Sequence, residues 1–204
     1  MALARAERED LHDLLVGLSP EQWRAPSLCA GWSVKDVVAH MLGYEELGWG
    51  QLAQRFARGL FLVDRVNALR LRECASRTPD ELVELLETHL VPTGLTAGMG
   101  GAIGLTDGMI HQQDIRRPLG LARDIPAERL VPALRTALFA PTLLGVLRVR
   151  DVRLVATDMD WSFGRGPEVR GTGEAILMTV AGRRDALDEL SGPGRTRVAR
   201  RAGA

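Results

Sequence analysis

The chain has 204 residues, 46% of them hydrophobic, with 26 basic and 26 acidic side chains and no formal net charge. That length supports one good hydrophobic core or two small ones. The charge balance offers no basic field to hold nucleic acid or an anionic membrane, so neither is expected as a partner.

Two cysteines, Cys29 and Cys74, are too few for a disulfide framework and point to a reducing compartment. No segment has the pattern of a secretory signal, and no apolar run approaches the roughly 20 residues of a membrane helix. A cytoplasmic protein is the expectation. Lys35 is the single lysine among the basic residues.

Leu11, Leu14, Leu15 and Leu18 recur at helical spacing and predict an amphipathic helix over residues 3–18, closed between Gly17 and Pro20. A polar, proline-containing loop runs to Ala30. Cys29, just before the next helix start, reads either as a small packing residue or as a thiol activated by the helix dipole. Ser33 is the expected N-cap, with Asp36 as its capping-box partner and Trp32 and Val37 placed as a hydrophobic staple. Val34, Val37, Val38, Met41 and Leu42 then form the buried stripe of a helix expected to run to about residue 58. His40 lies at the edge of that stripe, where a side chain faces an interhelical cleft while its neighbours pack, and Tyr44 follows one turn later.

Two more helices are expected over 64–76 and 79–91, parted by Thr78 as a cap and Pro79 at the first helical position. Leu82, Leu85, Leu86 and Leu90 supply the core face of the second. The glycine-rich residues 94–104 lead into a helix expected to end before Pro118; no strand precedes them, and their spacing departs from a dinucleotide-binding fingerprint. One or two further helices fall within 127–147. Near residue 150 the period changes to two: Val152, Leu154 and Ala156 alternate with Arg153, Val155 and Thr157. A turn at 164–167, an extended segment at 168–170, a helix over 174–181 and a short one over 185–190 complete the pattern. The expected fold is mainly α: a helical bundle over 1–147, a small α+β unit over 148–196, and a disordered tail over 197–204.

The chemistry concentrates on His40, Asp107 and His111. Asp107 and His111 are four residues apart, so a helix places them on one face, one turn apart. An imidazole from another helix of a bundle completes a set of two nitrogens and one carboxylate oxygen in a shared interior. Such a set suits zinc or another borderline divalent metal and leaves a position open for water or substrate. Asp114, in the last turn of the same helix, opposes the macrodipole; it either pairs with Arg117 or orients His111 or a substrate group. Arg116 and Arg117 have the guanidinium fork that grips a substrate carboxylate, or they satisfy carbonyls at the helix end. Tyr44 either lines the same cavity as a weak acid or packs in the core. His12 and His89 lie on ordinary amphipathic faces and receive no role.

The segment Cys29-Ala-Gly-Trp-Ser-Val-Lys-Asp-Val-Val-Ala-His40 resembles the signature of the mycothiol-dependent maleylpyruvate isomerase family, within the wider DinB-like group of metal-binding four-helix bundles. Asp107-Gly-Met-Ile-His111-Gln-Gln-Asp114-Ile-Arg-Arg-Pro-Leu-Gly120 is similar to the family's second element, although Asp107 stands where the family usually has Glu. The blocks 156–161, 166–171, 181–183 and 188–192 resemble its C-terminal part, so the likeness spans most of the chain. The resemblance implies His40, Asp107 and His111 as metal ligands and mycothiol as the thiol cosubstrate at the open position. It implies an isomerase or thiol S-transferase acting on a small electrophilic metabolite, as monomer or homodimer. A second reading is a metal- or small-ligand-binding protein of the same fold without turnover.

Overall fold

The computed structural model describes residues 1–45, 50, 54 and 76–202. The expected helix over 64–76 lies outside them except for its last residue, and Cys74 lies outside them too. The chain forms two compact units, Met1–Arg123 and Asp124–Ala204.

The first unit contains α1 (Ala2–Val16), α2 (Pro20–Arg24), α3 (Val34–Leu42), α4 (Pro79–Thr88) and α5 (Ala102–Leu119). Helices α1, α3, α4 and α5 close a ring: α1 and α3 each pack against both α4 and α5. Their leucine and valine stripes supply the core. Leu11, Leu15, Val34, Val37, Val38, Leu42, Leu82, Leu86 and Ile115 are all almost fully buried, and each large aliphatic side chain so removed from water contributes about 1.5–3 kcal/mol.

Local sequence sets the helix starts. Ser33 Oγ accepts the Asp36 N–H, and the Asp36 carboxylate accepts the Ser33 N–H at 2.9 Å, a reciprocal capping box. Thr78 and Glu81 make the same arrangement at α4, with Pro79 in its first turn. Two helix ends differ from the sequence expectation. Helix α3 stops at Leu42, where Gly43 donates to the His40 carbonyl and a turn follows through Glu45; apart from residues 50 and 54, the rest of the stretch expected to be helical to about residue 58 lies outside the described residues. Helix α5 continues through Pro118 to Leu119, with left-handed Gly120 closing it. Proline is tolerated because the Asp114 carbonyl, which loses its usual partner four residues on, accepts the Leu28 N–H at 3.0 Å. Ahead of α5, residues 98–101 form a 3-10 turn in which Gly100 and Gly101 take positive φ.

The second unit starts earlier than the expected 148. Helices α6 (Ala127–Phe139) and α7 (Gly145–Arg148) belong to it and pack on α8 (Gly173–Val180). The contact is close: a Cβ on Gly173 would meet Leu130 at 2.8 Å, and one on Gly145 would meet Val180 at 2.6 Å. Periodicity identifies the buried stripe of α6 but not which core it faces. A three-stranded sheet, ordered β2-β1-β3, comprises β1 (Arg153–Ala156), β2 (Ser162–Gly164) and β3 (Glu168–Gly171). β1 runs antiparallel to β2 and parallel to β3, and Val152, Leu154 and Ala156 point inward as the alternation predicts.

The expected disordered tail is instead helical over Arg195–Arg201, here α9. Val198 is fully buried, and Arg195 and Arg197 donate to the carbonyls of Leu187 and Asp151. An arginine-rich composition hides that single anchoring valine. Among the described residues, no helix is long and apolar enough to cross a membrane.

Candidate metal centre

Helices α3 and α5, neighbours in the ring, bring His40, Asp107 and His111 together. Asp107 Oδ1 lies 3.9 Å from His40 Nε2 and 3.5 Å from His111 Nε2. One donor atom from each residue lies within 4.8 Å of the others. Two nitrogens about 2.0–2.1 Å from a zinc ion and an oxygen at a similar distance would be separated by about 3.3 Å in a tetrahedron. The donor set therefore fits a divalent cation with small adjustments. Asp107 remains 35% exposed on its side chain while both imidazoles are nearly buried, so the cluster opens to solvent on the Asp107 side. Toward the interior, a cavity of about 10 Å³ beside Asp107, Glu7, Arg8 and Thr96 has room for one water and no more.

Helix α5, which carries Asp107 and His111, lies close against the 92–96 segment and α1. Gly104 and Gly108 flank Asp107: a Cβ at Gly104 would come within 2.9 Å of the Thr96 carbonyl, and one at Gly108 within 3.4 Å of Glu7. Two small residues one turn apart let α5 approach closely.

Each imidazole is held in orientation. The His40 ring sits against Trp32, His111 and Tyr44, with centroids 5.2, 4.8 and 6.0 Å away. His111 Nδ1 donates to Asp114 Oδ2 at 2.8 Å, which turns Nε2 toward Asp107. Asp114 is fully buried. A buried carboxylate on the far nitrogen fixes the tautomer and raises the basicity of a metal-binding histidine. Burial alone pulls the His111 pKa down. The Asp107 charge, the Asp114 hydrogen bond, the Cys29 contact and the Asp114 charge outweigh it and push the value up to about 10. A metal taking Nε2 therefore displaces a proton held by the cluster.

Cys29 packs against the edge of the hydrophobic core and also has polar partners. Its thiol donates to Asp114 Oδ2 at 3.2 Å and lies 3.9 Å from His111 Nδ1. Its loop is tied down by Ser27 and Trp32, and by the Leu28 N–H on the Asp114 carbonyl. The sequence signal for this contact was Pro118, which releases that carbonyl.

Of the arginines, Arg116 turns away from the trio, with its Nε 3.4 Å from Gln112 Oε1. Arg117 stands half-buried three residues beyond Asp114, at the flank of the Asp107–His111–Asp114 stripe. His12 faces Glu87 at 2.9 Å, and His89 ends α4 with its ring on the Leu85 carbonyl. Sequence reasoning missed the buried polar neighbours behind α5. Arg123 grips Glu7 with two hydrogen bonds, and Gln112 donates to the Glu7 backbone and side chain.

Residues 4–93 match the family model described as the mycothiol maleylpyruvate isomerase N-terminal domain. That span includes His40 and ends before Asp107. No curated protein matches the chain. Two solved structures share its fold: the mycothiol-dependent maleylpyruvate isomerase, at 17% identity, and a mutant of that enzyme with one histidine replaced by alanine, at 16% identity. Each aligns with a TM-score of 0.62, over 94% of this chain and 90% of the other. Residues 4–93 are thus similar to the mycothiol maleylpyruvate isomerase N-terminal domain, and the chain shares the fold of the solved mycothiol-dependent maleylpyruvate isomerase.

Proposed function

We propose that the chain is a metal-dependent enzyme that uses mycothiol to isomerise, or to conjugate, a small electrophilic metabolite. The observation that carries this reading is the gathering of His40 Nε2, Asp107 Oδ1 and His111 Nε2 on two helices, open to solvent on one side and backed by Asp114. The family match and the fold supply the thiol, because the proteins they name are mycothiol-dependent.

His40, Asp107 and His111 would hold the ion, zinc being the first choice for two imidazoles and a carboxylate. When bound, it supplies the positive charge that deprotonates a coordinated thiol near neutral pH, where a free thiol of pKa about 8.5 is mostly protonated. Asp114 keeps the His111 proton on Nδ1, leaving Nε2 to face the ion. Trp32 and Tyr44 limit rotation of the His40 ring. Arg117, on the stripe's flank, is assigned to a substrate carboxylate through its planar fork. The thiolate sulfur adds to a carbon–carbon double bond conjugated to a carbonyl, and the π pair moves onto the carbonyl oxygen. Rotation about the resulting single bond, with return of that pair and departure of the thiolate, gives isomerisation; protonation of the neighbouring carbon with the C–S bond kept gives conjugation.

Elemental analysis of purified protein should find one divalent ion per chain, lost in His40→Ala and His111→Ala. Mycothiol added to the loaded protein should then produce a thiol-dependent absorbance change with maleylpyruvate, abolished by a chelator. Wild-type protein without metal, or unchanged metal content in both variants, overturns the site. Metal without any turnover leaves the fold and site in place and favours a binding protein.

A further inference from the structure

Three donors of different kinds meet on the other side of His111. Cys29 Sγ, Asp114 Oδ2 and His111 Nδ1 are separated by 3.2 Å (sulfur to oxygen), 3.9 Å (sulfur to nitrogen) and 2.8 Å (nitrogen to oxygen). Around a tetrahedral ion with sulfur at about 2.3 Å and nitrogen and oxygen near 2.0 Å, the matching separations are about 3.5 Å to sulfur and 3.3 Å between nitrogen and oxygen. Every pair is within roughly half an ångström of that geometry. The position is also built rather than incidental: Asp114 is fully buried, and the Leu28 N–H on the Asp114 carbonyl clamps the cysteine loop onto α5.

We propose that Cys29, Asp114 and His111 form a second cation site, selective for soft, thiophilic ions, whose occupation excludes a metal from the His40–Asp107–His111 set. Selectivity follows from the donors: the first set offers two nitrogens and an oxygen, whereas the second has a thiolate, which soft ions prefer. Exclusion follows from the shared imidazole. A neutral imidazole has one nitrogen with a free electron pair and one N–H. With an ion on Nε2, the proton sits on Nδ1 and bonds to Asp114. With an ion on Nδ1, the Cys29 proton leaves to solvent and the imidazole proton sits on Nε2, facing Asp107. The site goes beyond the enzymatic reading: its own donors include neither His40 nor Asp107, and only the exclusion rests on that reading's metal set. Its consequence for an enzyme of this design is displacement of the working metal by a soft one.

The test uses Cd²⁺ on the full chain carrying Cys74→Ser, so that Cys29 is the single thiol. Ultraviolet thiolate-to-metal charge-transfer absorption is followed during titration, with circular dichroism as the check of folding. The band should saturate at one ion per chain, vanish in Cys29→Ser, and persist in His40→Ala and Asp107→Ala. Protein loaded with Zn²⁺ first should never hold more than one ion in total as Cd²⁺ is added. No band in the parent, or a band that survives Cys29→Ser, overturns the site and leaves Cys29 as a hydrogen-bond donor to Asp114. Loss of the band in folded His40→Ala means that the thiolate serves the first set instead, which also overturns it. Two ions bound at once overturn the exclusion. The enzymatic reading fails on a different measurement, Zn²⁺ uptake by wild-type protein, and either result leaves the other legible.

Discussion

Asp114 has one oxygen that receives both the His111 N–H and the Cys29 thiol, so a single buried atom determines the orientation of two groups. Replacing it by asparagine keeps the volume but removes the charge that favours the Nδ1–H tautomer. Metal affinity at the trio should then fall about 10- to 100-fold, the usual cost of losing such an orienting partner. Competition with a chromophoric chelator measures it, and an affinity equal to wild type would show that His111 needs no such support. Asp107 illustrates a different point. Its side chain is one methylene shorter than glutamate, yet its Oδ1 lies 3.9 Å from His40 Nε2 and 3.5 Å from His111 Nε2.

At the scale of elements, α5 is placed by its two glycines, and they differ in how much room they have. Adding a methyl at Gly104 meets the Thr96 carbonyl at 2.9 Å, a backbone atom that cannot swing aside. The helix-propensity gain of Gly to Ala, about 1 kcal/mol, is then outweighed by overpacking of about 1–3 kcal/mol. Gly104→Ala should lower the urea midpoint and weaken metal binding together. Gly108→Ala meets only a flexible glutamate methylene at 3.4 Å, so it should leave stability within about 1 kcal/mol of wild type. Equal effects of the two substitutions would mean that close approach at Gly104 is not what positions Asp107. The start of α3 is secured independently by the Ser33–Asp36 box, and Ser33→Ala should cost about 0.5–2 kcal/mol in the same unfolding assay.

For the molecule as a whole, acid stability depends on a buried ion pair in the first unit. Arg8 donates to Glu45, and Thr96 and the Thr93 N–H complete the carboxylate's partners. Burial raises the Glu45 pKa, but the Arg8 and Thr96 hydrogen bonds, the Arg8 charge and the Thr93 N–H overcome it and hold the group below its ordinary 4.5. A folded-state pKa below the unfolded one gives stability that is complete above the unfolded value and is lost as pH falls through the folded value. Urea midpoints should therefore drop as pH goes below about 4.5, the ordinary value. Glu45→Gln should be less stable at neutral pH, because Arg8 is left buried without its counter-charge. It should also show a shallower acid slope; an unchanged slope would assign acid unfolding to other carboxylates.

The caps, the leucine and valine stripes, the period-two alternation after residue 150 and the i, i+4 pairing of Asp107 with His111 are all local patterns, and the sequence alone determined them. Local rules act within a turn or two of chain, where steric and hydrogen-bonding preferences need no distant partner. The sequence also marked His40, but only the packing of α3 against α5 shows that its ring lies 4.8 Å from His111. Tertiary structure likewise decided that α6 and α7 belong with the C-terminal unit, that Val198 anchors the last helix, and that Cys29 faces Asp114. Each depends on which surfaces meet across long stretches of chain, and burial, unlike capping, has no signature in the residues on either side.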